Sequence, residues 1–218
     1  MGISATSGRN FGAWLPVSAV LVVGLLGGNG VSPGEAAPAF PTDPTGHELR
    51  RVNPDTADRA TILAIVREHR HRAPEDWLNT LADVIYRESV EAAVDPLLVT
   101  SIVAKESSFR SRAVSHAGAV GLMQLRPWVA RDVAQRSDLE WTGRETLHSP
   151  TLNVRLGILY YKELMERFEG DATMALTAYN YGPTRVRRQM SKGVYSGSSY
   201  ADGILGLYDE LTVRRERT

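Results

Sequence analysis

Asp95-Pro96-Leu97-Leu98-Val99-Thr100-Ser101-Ile102-Val103-Ala104-Lys105-Glu106-Ser107-Ser108-Phe109 is the stretch on which the reading of this chain turns. Aspartate followed by proline marks a helix start, with Asp95 as N-cap and Pro96 at the first helical position. Leu98, Val99, Ile102 and Val103 then fall on one side of the helix. Glu106 lies four residues after Ile102 and three after Val103, so it shares that apolar face. A face that turns towards a core therefore ends in a carboxyl group near the helix C-terminus. The helix dipole is negative at that end, and desolvation penalises the charged form. Both raise the pKa, and a carboxylic acid that keeps its proton near neutral pH suits a general acid. The competing reading is a solvated helix-end glutamate paired with Arg110 or Arg112.

Outward from this stretch the pattern stays helical. Ile62, Ile65, Val66 and His69 recur at helix spacing, followed by Trp77, Leu81, Val84, Ile85 and Val90. Pro127 opens a further helix with Trp128, Val129 and Val133. Asn153 to Phe168 repeats the period through Leu156, Leu159, Tyr160 and Leu164. Asp171 caps a helix through Met174, Leu176 and Tyr179, Pro183 starts another, and a last one runs from about Tyr200 to Leu211. No alternating run is long enough for a sheet, although a small hairpin or irregular loop fits residues 110–121. The expected fold class is all-α: one helical domain over residues 55–218, behind a linker at 40–54.

The first 39 residues read differently. Arg9 gives a weak basic start, Phe11 to Gly28 is apolar, and small residues including Ala36, Ala37 and Ala39 follow. This pattern marks residues 1–39 as a signal peptide or an N-terminal membrane anchor, placing the chain in the periplasm, cell envelope or extracellular space. An uncleaved segment would tie it to the membrane. The chain has no cysteine, which removes disulfides, thiol nucleophiles and cysteine-based zinc sites together. Lys+Arg 25 balances Asp+Glu 25, so no global charge calls for nucleic acid.

Two further blocks stand downstream of Glu106. Ser115-His116-Ala117-Gly118-Ala119-Val120-Gly121-Leu122-Met123-Gln124 carries glycines that let backbone approach a ligand. It also carries a flexible apolar Met123 and an amide donor and acceptor at Gln124. Ala178-Tyr179-Asn180-Tyr181-Gly182-Pro183 reads alone as a helix end before a stop signal. In this order and spacing the three blocks resemble the catalytic core of the lytic transglycosylases, the SLT-type enzymes related to goose lysozyme. The resemblance covers about residues 90–195, and Asn153 with Gly157, Tyr160 and Tyr161 resembles the family's intervening helix.

The resemblance implies a lysozyme-like α-domain with a groove for peptidoglycan glycan strands. It gives Glu106 the role of single catalytic acid. Ser115, Gly121, Leu122, Met123 and Gln124 line the sugar site, and Tyr179 and Asn180 hold the glutamate or the substrate N-acetyl group. It implies no cofactor and no metal. Two positions depart from the family pattern: Tyr181 stands where a small residue is usual, and Leu125-Arg126-Pro127-Trp128 replaces a commoner Met-Pro sequence.

Glycosidases ordinarily use two carboxylates, substrate-assisted families excepted. Asp132, Glu140 and Asp171 are second carboxylates only by type, and Asp171 fits better as a helix cap. The expected reaction therefore uses Glu106 twice, first as acid on the glycosidic oxygen, then as base on a C6 hydroxyl that closes to a 1,6-anhydro end. A lysozyme-like or chitinase-like hydrolase and a non-catalytic wall-binding module are the alternatives. The run Glu68-His69-Arg70-His71-Arg72 lacks the partner ligands of a metal site and reads as a solvated helix face. Arg185, Arg187 and Arg188 form a basic patch suited to acidic wall peptides or, more simply, to solvent.

Overall fold

The computed structural model describes residues 56–217. The expected signal segment (1–39) and linker (40–54) lie outside the described residues. Eight α-helices follow one another: α1 (Thr56–His69), α2 (Glu75–Glu91), α3 (Pro96–Ser107), α4 (Pro127–Arg136), α5 (Pro150–Arg167), α6 (Ala172–Tyr181), α7 (Pro183–Ser191) and α8 (Ser199–Arg215). A 3₁₀ turn at Arg144–His148 precedes α5. Among the described residues there is no strand; the irregular stretch before α4 holds only two isolated bridges, Val114 with Val120 and Val120 with Leu125.

The capping chemistry works as the residue types dictate. Asp95 Oδ1 accepts from the Leu97 amide at 2.8 Å, Asp171 Oδ1 accepts from the Met174 amide at 2.7 Å, and prolines open α3, α4, α5 and α7. Helix α5 begins earlier than the apolar period suggests, because Ser149-Pro150 supplies the same cap-and-proline start as Asp95-Pro96.

Helix α3 is buried almost all round rather than along one stripe, with only Lys105 and Glu106 reaching outward. Thr100 and Ser101 are also buried, and their hydroxyls bond back to the Pro96 and Leu97 carbonyls at 2.7 and 2.8 Å. A helix apolar on all sides belongs at the centre of a domain, and α3 packs against α1, α2 and α8. The main core joins Ile62, Ile85, Leu98, Ile102, Phe109 and Ile204 among many others. A smaller core under α4 gathers Val120, Leu125, Val133, Leu147 and Leu156. Tyr160 and Tyr179, each partly buried, pack against both.

Helix α8 is fastened to both ends of α3. The Tyr208 hydroxyl donates to Asp95 Oδ2 at 2.9 Å, and the Tyr200 hydroxyl donates to Glu106 Oε1. The earlier tyrosine meets the later residue of α3, so the two helices run antiparallel. Between these clasps, Gly203 leaves room for Lys105, whose Nζ would sit 3.2 Å from any Cβ placed there. No helix among the described residues is long and apolar enough to cross a membrane.

Candidate active site

Glu106 occupies the last turn of α3, one residue before the helix ends. The chain leaves it through two successive left-handed residues, Ser108 (φ 49°) and the fully buried Phe109 (φ 59°). Left-handed backbone is uncommon for a bulky residue and stores strain. Burial of the Phe109 ring, edge-on to His69 at 5.1 Å, holds that turn in place. The strained exit keeps the carboxyl group at the rim of the core.

Burial pushes the Glu106 pKa from 4.5 up to about 7. The Tyr200 hydrogen bond and the Lys105 charge pull it back down, and desolvation prevails. Tyr179 and Tyr200 both titrate well above the ordinary tyrosine range, chiefly because they are desolvated and next because the Glu106 charge is close. Both phenols therefore stay neutral hydrogen-bond donors at any working pH.

The second block folds around one buried amide. Asn153 on α5 is fully buried; its Nδ2 donates to the Val120 and Leu147 carbonyls at 2.9 and 3.0 Å, and its Oδ1 accepts from the Met123 amide at 2.8 Å. Gly121 (φ +84°) is required here for a reason other than ligand approach, since a Cβ would fall 2.1 Å from Asn153 Nδ2 and 2.5 Å from the Leu147 carbonyl. Gly157 is likewise filled by the Met123 side chain, whose sulfur would lie 2.3 Å from a Cβ.

Leu122 and Met123 have fully buried side chains. Gln124, at φ 46°, donates from Nε2 to the Gly121 and Ala113 carbonyls at 2.9 and 3.2 Å. Ser115 closes a turn, its Oγ accepting from the Ala119 amide at 3.0 Å. The third block meets the second through the Tyr179 hydroxyl, which donates to the Met123 carbonyl at 2.8 Å. Asn180, next along α6, is exposed.

Glu106, Met123, Tyr179 and Tyr200 are thus brought together from α3, the loop before α4, α6 and α8. Ser115, Gly121 and Gln124 shape that loop through their own backbone contacts. Tyr200 enters from the sequence only as the approximate start of the last helix, with no role at the site. It stands 94 positions from Glu106, and its only local signal is a helix start after Ser198. The two departures from the family pattern share one place: Trp128 and Tyr181, 59% and 44% exposed, both line a cleft of about 560 Å³ that also includes Tyr160. The Arg185 guanidinium lies 4.9 Å over the Tyr181 ring. The Tyr160 ring packs at a tilt against Tyr179, 5.3 Å between centroids, linking this cleft to the acid's neighbourhood. Among the described residues no group of His, Asp or Glu side chains could hold a metal ion.

Comparison with known proteins gives a consistent picture. The family model described as Transglycosylase SLT domain matches residues 78–198. The soluble lytic murein transglycosylase of Salmonella typhimurium is 32% identical over 134 residues, covering 61% of this chain and 20% of that protein. The membrane-bound lytic murein transglycosylase C of Cronobacter sakazakii is 34% identical over 117 residues, covering 50% of this chain and 32% of the relative. Among solved structures, lytic transglycosylase Slt of Pseudomonas aeruginosa superposes with a TM-score of 0.56 at 26% identity, covering 62% of this chain and 24% of that one. The 70 kDa soluble lytic transglycosylase of Escherichia coli superposes with a TM-score of 0.52 at 19% identity, over 73% of this chain and 29% of that one, a likeness of fold. The chain spans well under half the length of these relatives.

Proposed function

The chain belongs to the transglycosylase SLT domain family, and from that premise we propose that it is a lytic transglycosylase of peptidoglycan. It cleaves the β-1,4 bond between N-acetylmuramic acid and N-acetylglucosamine and leaves a 1,6-anhydromuramic end. The observation that carries the reading is Glu106, a carboxyl group lifted by burial to about 7 and bonded to the Tyr200 phenol.

Chemistry follows from that one group. Protonated Glu106 gives its proton to the glycosidic oxygen as the bond to C1 breaks. The substrate's own N-acetyl carbonyl stabilises the cationic C1, the part a second carboxylate plays elsewhere. Among the described residues, the groups that shift Glu106 are Tyr200 and Lys105, and neither is a carboxylate. Glu106, now ionised, takes the proton from the C6 hydroxyl, whose oxygen closes on C1. The acid is thereby regenerated without water entering the product. Tyr200 steadies the ionised form, and Tyr179 holds the Met123 carbonyl and its loop against the acid. Ser115, Gln124 and Asn180 complete the proposed sugar site, and Gly121, Leu122 and Met123, all buried, shape its loop from behind. The substrate places the protein in the cell envelope, as a periplasmic or membrane-tethered enzyme.

The test is clearing of purified sacculi. The wild-type chain should clear them, and Glu106→Gln should lose at least about a hundredfold in rate, the typical contribution of a positioned acid, while still sedimenting with the sacculi. Normal clearing by the variant would overturn the assignment.

A further inference from the structure

A second cleft, away from Tyr160 and Tyr181, has no part in the chemistry above. It measures about 850 Å³ and opens between the end of α1, the turn into α2 and the loop that leaves α3. Arg70, Arg72, Arg110 and Arg112 line it, with His69 and His71, and no aspartate or glutamate does. In a chain whose formal charges sum to zero, four guanidinium groups gathered in one concavity repel one another. None of the four is in an ion pair among the described residues. Two neighbouring carboxylates are engaged elsewhere, Glu68 with Arg214 and Glu75 with Arg67. Arg70 adds an independent sign: its Nε is buried without a hydrogen-bond partner, and its guanidinium lies 5.9 Å over the Trp77 ring. A buried charged donor without an acceptor is costly unless a ligand supplies one.

The cleft is also fixed relative to the acid. Arg110 Nε donates to the Ser107 carbonyl at 3.0 Å, at the very end of the catalytic helix. Ala113, on the cleft wall, accepts from the Gly121 amide at 2.8 Å and from Gln124. One loop therefore has the cleft on one part and the sugar-site block on another.

We propose that this cleft binds the carboxylates of a stem peptide carried by the glycan strand. The inference rests on the peptidoglycan reading above. Stem peptides hang from the muramic sugar next to the scissile bond, and they are the strand's densest source of carboxylate. The planar fork of arginine pairs with carboxylate through two parallel hydrogen bonds, so several arginines in a peptide-sized space favour this ligand over the neutral sugars.

The double variant Arg72→Gln/Arg112→Gln tests this. Both side chains are exposed, and Arg110 is left in place because it bonds to α3. On peptide-bearing strands the variant should raise KM by roughly tenfold or more, the loss expected for charge-assisted hydrogen bonds, with kcat within about twofold. On strands stripped of peptide by an amidase it should match the wild type. Equal loss on both substrates, or on neither, would overturn the proposal. Calorimetric titration of the full chain with the amidase-released peptide and with inorganic phosphate gives a second readout. Peptide binding that the double variant loses supports the proposal, and tighter binding of phosphate overturns it. A wild type that cuts neither substrate would sink the transglycosylase reading instead, and the titration would still decide the cleft.

Discussion

Glu106 is held in a state that suits its chemistry and works against the fold. Its pKa is raised from 4.5 to about 7, so its contribution to stability is fully present below pH 4.5 and is lost as pH rises through 7. That shift corresponds to about 3 kcal/mol. Glu106→Gln, which cannot ionise, should therefore be more stable than the wild type above pH 7, by up to about 3 kcal/mol, with the gap closing towards pH 4.5. Denaturant midpoints across this range check it, and a variant less stable at pH 8 would contradict the buried-acid account. The acid role also fixes the pH profile: kcat/KM should fall on the alkaline side near pH 7. The Tyr200 hydrogen bond lowers the Glu106 pKa, so Tyr200→Phe should move that alkaline limb upward, measured on the same substrate. The place of Glu106 at the end of the buried face was legible from helix period, whereas its reading as an acid leaned on the resemblance of the blocks around it. Its partner was not legible, because nothing local in Ser199-Tyr200-Ala201 announces contact with a residue 94 positions away.

At the scale of elements, the loop before α4 depends on Asn153. Asn153→Leu keeps the volume roughly and leaves the Met123 amide and two carbonyls without their buried partner. A loss of several kcal/mol is expected, since each orphaned buried group costs about 1–3 kcal/mol, and thermal melting checks it. Gly121→Ala should destabilise comparably, because its Cβ meets Asn153 and the Leu147 carbonyl. Helix starts at Asp95-Pro96, Pro127, Asp171 and Pro183 were readable because capping is a local code. Other features were not. Ser149-Pro150 carried the same code ahead of the apolar run, and α5 starts there. Trp128 sits within the apolar pattern of α4 yet is 59% exposed, because α4 covers only the smaller core. Gly121 had the residue type that permits close approach, but only packing reveals that an asparagine is what approaches.

For the whole molecule, a cysteine-free chain must hold its groove by packing and by hydrogen bonds between distant helices. The α3–α8 clasp is the clearest example, with tyrosines of one helix meeting the N-cap and the acid of the other. The fold class followed from the helical period alone, whereas the two clefts flanking the site needed the tertiary arrangement: arginines 40 residues apart, Arg70 and Arg110, share one of them. The central claim is that one carboxyl group cuts a glycan strand without consuming water, and the mass of the new chain ends tests it most directly. Purified sacculi digested with the wild-type chain should yield muramic ends lighter by one water than hydrolysed ends, and Glu106→Gln should form them at least about a hundredfold more slowly. Products carrying only reducing, fully hydrated ends would contradict the account.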